Sequence, residues 1–396
     1  MNDAIATSHG GSPASFREPP ALAIEVAGHG LQLLPGGGER LAALLRLVDQ
    51  AQRTVDLAFY IYEPDSVGAQ VRDSLVRAAE RGVRVRLVVD GFGTNADAEF
   101  FAPLTGAGGE LRIFSQGWTR HYLIRNHQKM LIADGERAML GGFNIADDYF
   151  SGTHAEGWSD LGFVIEGPAV ADLERWFGTL YGWVSRPNAP WRAIRIAVRD
   201  WRPGHGAVQV LIGGPTLGLS SWAGSMLRDL GQGRHLDMIM AYFSPAAGFL
   251  RRIAVIARRG SARLVLAGKS DNGATIGAAR SLYKYLLKRS TRISEFSLAK
   301  LHTKLIVIDD VTYIGSANFD MRSLYLNLEI MLRIDDAALA GRMREYIDQY
   351  AAVAEPITLE WHRANAGVVN RVRWVLSWFL VAVLDYTVTR RLNLGQ

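Results

Sequence analysis

At 396 residues and 43.6 kDa the chain is long enough for two or three domains, and 48% hydrophobic with 21% charged residues excludes a disordered or collagen-like polymer. It has no cysteine, which excludes a disulfide framework, thiolate metal sites and cysteine nucleophiles together. The net charge of +5 is a mild tilt towards an anionic partner, and only six of the 44 basic residues are lysines (Lys129, Lys269, Lys284, Lys288, Lys300 and Lys304), so each compact ammonium stands out.

Taken in chain order, residues 1–20 read as a flexible polar lead-in. They lack the basic start and apolar core of a secretory signal, so the chain is expected to stay on the cytoplasmic side or to leave by a route other than that signal. Gly36, Gly37 and Gly38 lack the lysine–hydroxyl ending of a phosphate loop and read as a strand-to-helix turn. Apolar residues at helical spacing predict helices over 39–52 and 69–81. Short β-branched runs predict strands over 55–61 and 83–89. The alternation predicts an α/β layered domain around a buried, largely parallel sheet. The proline- and glycine-bearing stretch 186–206 reads as a joint.

Beyond that joint the same signals return. Leu31-Gln-Leu-Leu-Pro-Gly36 is echoed 177 residues later by Val208-Gln-Val-Leu-Ile-Gly213. Arg53-Thr-Val-Asp56 is echoed 181 residues later by Arg234-His-Leu-Asp237. Tyr60-Ile-Tyr62-Glu-Pro64 corresponds to Tyr242-Phe243-Ser-Pro245. A period this long means two duplicated domains, expected at 21–190 and 206–355, and not a solenoid.

Each half carries one polar pattern. His127-Gln-Lys129 runs through Asp134 to Gly141-Gly142-Phe-Asn144, and His302-Thr-Lys304 runs through Asp309 to Gly315-Ser316-Ala-Asn318. Residues two apart on a strand share a face, so each histidine and lysine point the same way. Histidine serves as a nucleophile or as an acid near neutral pH. Lysine and asparagine supply charge and hydrogen bonds to phosphoryl oxygens. A lone His-x-Lys is usually surface decoration; two copies with the same continuation are not. The lysine beside each histidine argues against a metal dication, and no cofactor is expected. His121, His154 and His235 have no such pattern and default to structural or surface roles.

The double HxKxxxxD motif, followed by GGxN or GSxN, resembles the phospholipase D superfamily from about Leu31 to Asp335. The flanks Asn318-Phe-Asp320-Met-Arg322-Ser323, Asn327-Leu-Glu329 and Trp158-Ser-Asp160 are most similar to the bacterial cardiolipin synthase branch. The resemblance implies two tandem α/β/α sandwich domains with pseudo-twofold symmetry and one active site at their interface, His127 facing His302. It implies a phosphatidyltransferase working through a phosphohistidine, with His127 as nucleophile and His302 as acid and base. Lys129, Lys304, Asn144, Asn318 and Ser316 would hold the phosphate. An acidic residue about thirty positions after each histidine, Asp160 and Glu329, would orient it. Asp134 and Asp309 belong to the same catalytic signature and are expected to brace loops. Gly142 departs from the serine at Ser316. The implied substrate is a phospholipid such as phosphatidylglycerol, handled by a monomer. A phospholipase D that hydrolyses phosphatidyl esters is the alternative. A nuclease is more distant, because no basic run with interleaved aromatics supports a nucleic-acid partner.

Residues 356–396 change character. Arg371 and Arg373 precede the apolar run 374–384, and Arg390 and Arg391 follow it. Eleven helical residues span about 16 Å, against the roughly 30 Å of a hydrocarbon core. The order basic–apolar–basic predicts a helix lying on an anionic membrane surface, and hence a peripheral or monotopic protein on the cytoplasmic side of the inner membrane.

Overall fold

The computed structural model describes residues 16–114, 124–152 and 157–384. His121, His154, Arg390 and Arg391 lie outside them. Two eight-stranded sheets form the frame. The first comprises β1 (Leu22–Val26), β2 (His29–Leu34), β3 (Thr54–Phe59), β4 (Arg84–Asp90), β5 (Glu110–Phe114), β6 (Met130–Ala133), β7 (Arg137–Gly141) and β8 (Gly162–Glu166). The second comprises β9 (Val208–Gly213), β10 (His235–Met240), β11 (Ser261–Ala267), β12 (Arg292–Phe296), β13 (Lys304–Ile308), β14 (Val311–Gly315), β15 (Glu329–Asp335) and β16 (Glu355–Ile357).

The first sheet is ordered β1-β2-β8-β7-β6-β3-β4-β5, the second β9-β15-β14-β13-β10-β11-β12-β16. Setting aside the edge strands β1 and β16, the seven-strand orders superimpose term by term, which is the duplication heard in the sequence. The expected largely parallel sheet needs correction. Only β3-β4-β5 and β10-β11-β12 pair in parallel, and every other neighbour is antiparallel. The reason is local. Asp134-Gly135-Glu136 and Asp309-Asp310 close tight hairpins, with Asp134, Gly135 and Asp309 at positive φ, and links of two or three residues join only antiparallel strands.

Strand alternation separates three cores. On β13, Leu305 and Val307 enter the core shared by both halves, while Ile306 and Ile308 face the outer core of the second half. Helices Gly37–Gln50 and Ser66–Glu80 cover the outer face of the first sheet. Helices Ala169–Val184 and Ala337–Val353 bury Trp176, Phe177, Ile347 and Tyr350 in the shared core between the sheets. The lead-in is not wholly free of this frame, since the Phe16 ring packs 5.0 Å from Phe296 and 4.7 Å from Tyr350. Gly36 caps helix Gly37–Gln50, and a Cβ on Gly37 would meet the Phe150 carbonyl at 2.5 Å, so the glycine run is a packing turn. The joint carries a helix of its own, Trp191–Asp200, seated by Ile194 and Val198. Strand β16 closes the second sheet, so the stretch expected as a tail from 356 begins inside a strand and becomes helical at Leu359–Asn365 and Val368–Trp378.

Candidate active site

The two His-x-Lys segments enter strands β6 and β13 from the same relative position, and each is stitched to the other half by its backbone. The His127 N–H donates to the Leu328 carbonyl at 2.9 Å, and the His302 N–H donates to the Ser159 carbonyl at 2.8 Å. A short parallel ladder, Lys300–Leu301 with Trp158–Ser159, repeats on the other side as a bridge between Asn126 and Leu328. The residue after each accepting carbonyl is an acid: Glu329 after Leu328, Asp160 after Ser159. This stitching therefore carries each acid across the interface.

The consequence corrects the assumption that each acid serves the histidine thirty positions before it. His127 Nδ1 lies 3.1 Å from Glu329 Oε2 and 2.9 Å from Oε1. His302 Nδ1 lies 2.7 Å from Asp160 Oδ2. Each half supplies the carboxylate for the other half's imidazole. With Nδ1 held this way, the tautomer leaves each Nε2 for chemistry. The lysines follow the strand rule: Lys129 Nζ donates to the His127 carbonyl at 2.7 Å, and Lys304 Nζ donates to that of His302. Both lysines are buried and act electrostatically on both histidines, which ties the two pairs into one site.

The halves differ where the sequence departs from symmetry. Ser316 Oγ donates to Glu329 Oε2 and accepts the Ile330 N–H at 3.0 Å. At Gly142 a Cβ would stand 2.5 Å from Asp160 Oδ1. The shorter aspartate occupies the space that the serine fills in the other half. Gly142 with Asp160, and Ser316 with Glu329, are two solutions to one packing problem.

Electrostatics sharpen that difference. Burial, reinforced by Lys129, Lys304 and Arg322, holds His127 well below the usual histidine range. Burial and Lys304 push His302 down to about 3, against the opposing pull of Asp160. Asp160 is held below the usual carboxylate range by His302, Lys304 and Arg40 against its own burial. Glu329, buried with less compensation, is pushed up to about 8. Burial lowers both lysines, Lys304 to about 8. Burial thus disfavours the charged forms of both lysines and both histidines, and a phosphodiester anion placed among them would favour those forms again.

The remaining expected residues fall into two groups. Asn144 and Asn318 are buried at the turns after β7 and β14, and Asn144 Oδ1 accepts the Ile61 N–H at 3.2 Å. Asp134 and Asp309 sit at the far ends of β6 and β13. Asp134 accepts from the backbone N–H groups of Gln52, Arg53 and Thr54, and Asp309 from those of Arg234 and His235. They brace hairpins. His235 is a surface residue against Ser261.

Sequence reasoning missed the aromatic walls and one buried cation. The Tyr60 ring lies 4.9 Å from His127, and those of Tyr149 and Trp158 each lie 5.1 Å from His302, with Tyr242 at 6.3 Å. The repeat had shown Tyr60 and Tyr242 as counterparts, and that was the available signal. Arg40, fully buried, donates to the Asp160 carbonyl at 2.6 Å and to the Tyr149 carbonyl at 2.6 Å; nothing in its helical spacing announces this.

Comparisons with known proteins agree with the geometry. A family model described as "Cardiolipin synthase, PLD-like domain" matches residues 44–181 and 226–351, one match per half. Cardiolipin synthase 1 of Bacillus cereus is 32% identical over 315 residues, 76% of this chain and 62% of that protein. The chain therefore spans less than two thirds of that relative's length. Cardiolipin synthase B of Escherichia coli is 30% identical over 330 residues, covering 81% of this chain and 80% of its own. The crystal structure of phosphatidylserine synthase from Haemophilus influenzae superimposes with a TM-score of 0.71, covering 93% of this chain and 96% of that one, at 14% identity, which speaks for the fold alone. Two matched halves that exchange their carboxylates around a double His-x-Lys site, with relatives of this kind, establish that the chain belongs to the phospholipase D superfamily, in its cardiolipin synthase-like branch.

Proposed function

We propose that the protein is a phosphatidyltransferase that moves a phosphatidyl group from one phospholipid to the hydroxyl of a second, through a phosphohistidine. The observation that carries this reading is the crossed pair of carboxylate-held imidazoles between two buried lysines. The donor phosphodiester enters between Lys129 and Lys304, with Asn144 and Asn318 nearby. His127 Nε2 attacks phosphorus, and the P–O bond to the headgroup alcohol breaks. His302 is neutral while burial and Lys304 hold it low; the bound phosphodiester anion, with Asp160 on Nδ1, favours its imidazolium, which gives its proton to the departing oxygen. His302 then takes the proton of the incoming hydroxyl, whose oxygen attacks phosphorus; the P–N bond breaks and His127 is restored. The difference between the two histidines supports the roles: both are lowered by burial and by the lysines, but Asp160 opposes that lowering at His302, whereas Arg322 adds to it at His127, so His302 is the better supported proton carrier.

We also propose that the C-terminal helix anchors the protein on a membrane surface. Among the described residues no helix is long and apolar enough to cross a membrane. Helix Val368–Trp378 rests on helix Gly273–Leu287 through Trp374 and Ser377, and Gly277 allows that approach, since a Cβ there would meet Ser377 Oγ at 2.6 Å. Its opposite face exposes Val368, Val369, Val372, Val375 and Leu376, continued by Phe379 and Leu380. These positions form one stripe at helical spacing, as an interfacial helix requires. The protein is accordingly a peripheral membrane protein.

Incubating the protein with labelled phosphatidylglycerol, with and without phosphatidylethanolamine, and resolving the lipids tests the transfer. A labelled two-phosphate lipid with release of glycerol is the expected product. Phosphatidic acid alone would make the protein a hydrolase, with water in place of the acceptor.

A further inference from the structure

Four of the six lysines lie outside the His-x-Lys segments, and two of these, Lys284 and Lys288, share the last turn and cap of one helix. They close one wall of a cavity of about 280 Å³, completed by Leu359, His362, Arg363 and Arg371. Three separate elements contribute: the end of helix Gly273–Leu287, helix Leu359–Asn365 and helix Val368–Trp378. Elsewhere in the molecule arginines are commonly paired with carboxylates, as in Arg86 with Asp56, Arg263 with Asp237 and Arg280 with Glu295. Here no acidic side chain lines the cavity, and no ion pair engages its four cations, among the described residues. Burial, with Lys284 and Arg371 close by, holds the His362 imidazole below its ordinary range, against a hydrogen bond that the ring donates to the Arg280 backbone carbonyl. Gathering like charges without counter-ions costs stability unless an anion completes the set.

The location identifies the anion. Arg371 borders the exposed apolar stripe of helix Val368–Trp378 on the edge facing this cavity. Arg373 borders it on the opposite edge, where it lines a second cavity with Arg280 and Trp374. At 100° per residue Arg371 and Arg373 stand on either side of the stripe. A helix lying in the interface inserts its apolar face below the headgroups and keeps flanking cations at phosphate level. We infer that the cavity between Lys284, Lys288, Arg363 and Arg371 is a binding site for the phosphate headgroup of an anionic membrane lipid, separate from the transfer site, which seats the C-terminal helix on the bilayer. The inference rests on the interfacial reading of that helix but not on the chemistry at His127 and His302.

The test uses the full chain and two triple variants of equal charge. One is Lys284→Gln/Lys288→Gln/Arg371→Gln in the cavity. The other is Arg46→Gln/Arg186→Gln/Arg192→Gln on exposed surfaces elsewhere. Neutralising mutually repelling cations leaves the fold at least as stable, which thermal melting checks. Partitioning is measured by sedimentation with phosphatidylglycerol-containing and pure phosphatidylcholine vesicles, alongside turnover of a short-chain, water-soluble diester. A basic residue near an anionic surface contributes about 1 kcal/mol, close to fivefold. The cavity variant should therefore bind anionic vesicles about a hundredfold more weakly, the surface variant within a few-fold of the parent, and both should turn over the soluble diester like the parent. Equal losses in the two variants, or none in the cavity variant, would overturn the site. A melting temperature of the parent raised by millimolar inorganic phosphate and not in the cavity variant, with vesicle binding unchanged between them, would make it a free-anion site and overturn the lipid assignment. A parent that fails to turn over any diester yet shows the expected vesicle losses would refute the transfer chemistry and leave this site standing.

Discussion

Lys304 is buried beside His302 with its pKa lowered to about 8, and Lys129 is lowered as well. For a base lowered in this way the charge is present below the folded pKa and lost above it. Attraction for a phosphodiester therefore weakens as pH rises through about 8. We predict that kcat/KM for a short-chain diester falls on an alkaline limb near that value, and that Lys304→Arg moves the limb upwards by keeping the charge. A profile flat to pH 10, or a limb unmoved in Lys304→Arg, would show that Lys304 does not hold the phosphate. These lysines were legible in the sequence because strand periodicity is two, so His-x-Lys states a direction without knowledge of the fold. Arg40 was not legible. Its guanidinium reaches carbonyls of Asp160 and Tyr149, more than a hundred residues away, and only the assembled core brings them within 2.6 Å.

At the scale of elements the informative comparison is between the two turns that follow β7 and β14. Asp160 occupies the volume that a side chain at Gly142 would need. Gly142→Ser should push the Asp160 carboxylate off His302 and cost about 1–3 kcal/mol of stability, the usual range for overpacking, with turnover reduced at least tenfold. The double variant Gly142→Ser/Asp160→Glu copies the arrangement of Ser316 and Glu329 and should recover much of both losses. Denaturant melts and turnover of the three proteins check this. A double variant no better than the sum of its parts would mean the two positions are not coupled. The sequence marked Gly142 as a departure from symmetry without a cause, because the compensating residue, Asp160, lies eighteen positions on in a separate loop. The sheet direction was misjudged for a similar reason. Apolar strand–helix alternation is common to parallel and mixed sheets, and expecting Asp134 and Asp309 to brace loops does not say that those loops are tight hairpins, which decides the matter.

For the whole molecule, the shared core and the crossed carboxylates make the halves interdependent. Spacing alone suggested that each acid serves its own half; docking gives it to the other, and no linear feature records that exchange. Separately expressed halves, 1–190 and 206–396, should each be inactive, since His127 alone lacks Glu329 and His302 alone lacks Asp160. Co-expression of both should restore measurable turnover if the shared core reassembles. Activity in one half by itself would contradict a site built from two.

The central claim is that His127 carries the phosphatidyl group while His302 moves the proton, and trapping the intermediate tests it most directly. The protein is mixed with labelled phosphatidylglycerol, quenched in alkali within milliseconds to preserve the P–N bond, and digested for peptide mapping. The label should sit on the peptide containing His127. It should vanish in His127→Ala, and in His302→Ala it should still form from a diester whose leaving group needs no proton, while steady-state turnover of phosphatidylglycerol drops by about a thousandfold or more. Label on His302, or a labelled intermediate in His127→Ala, would contradict the account.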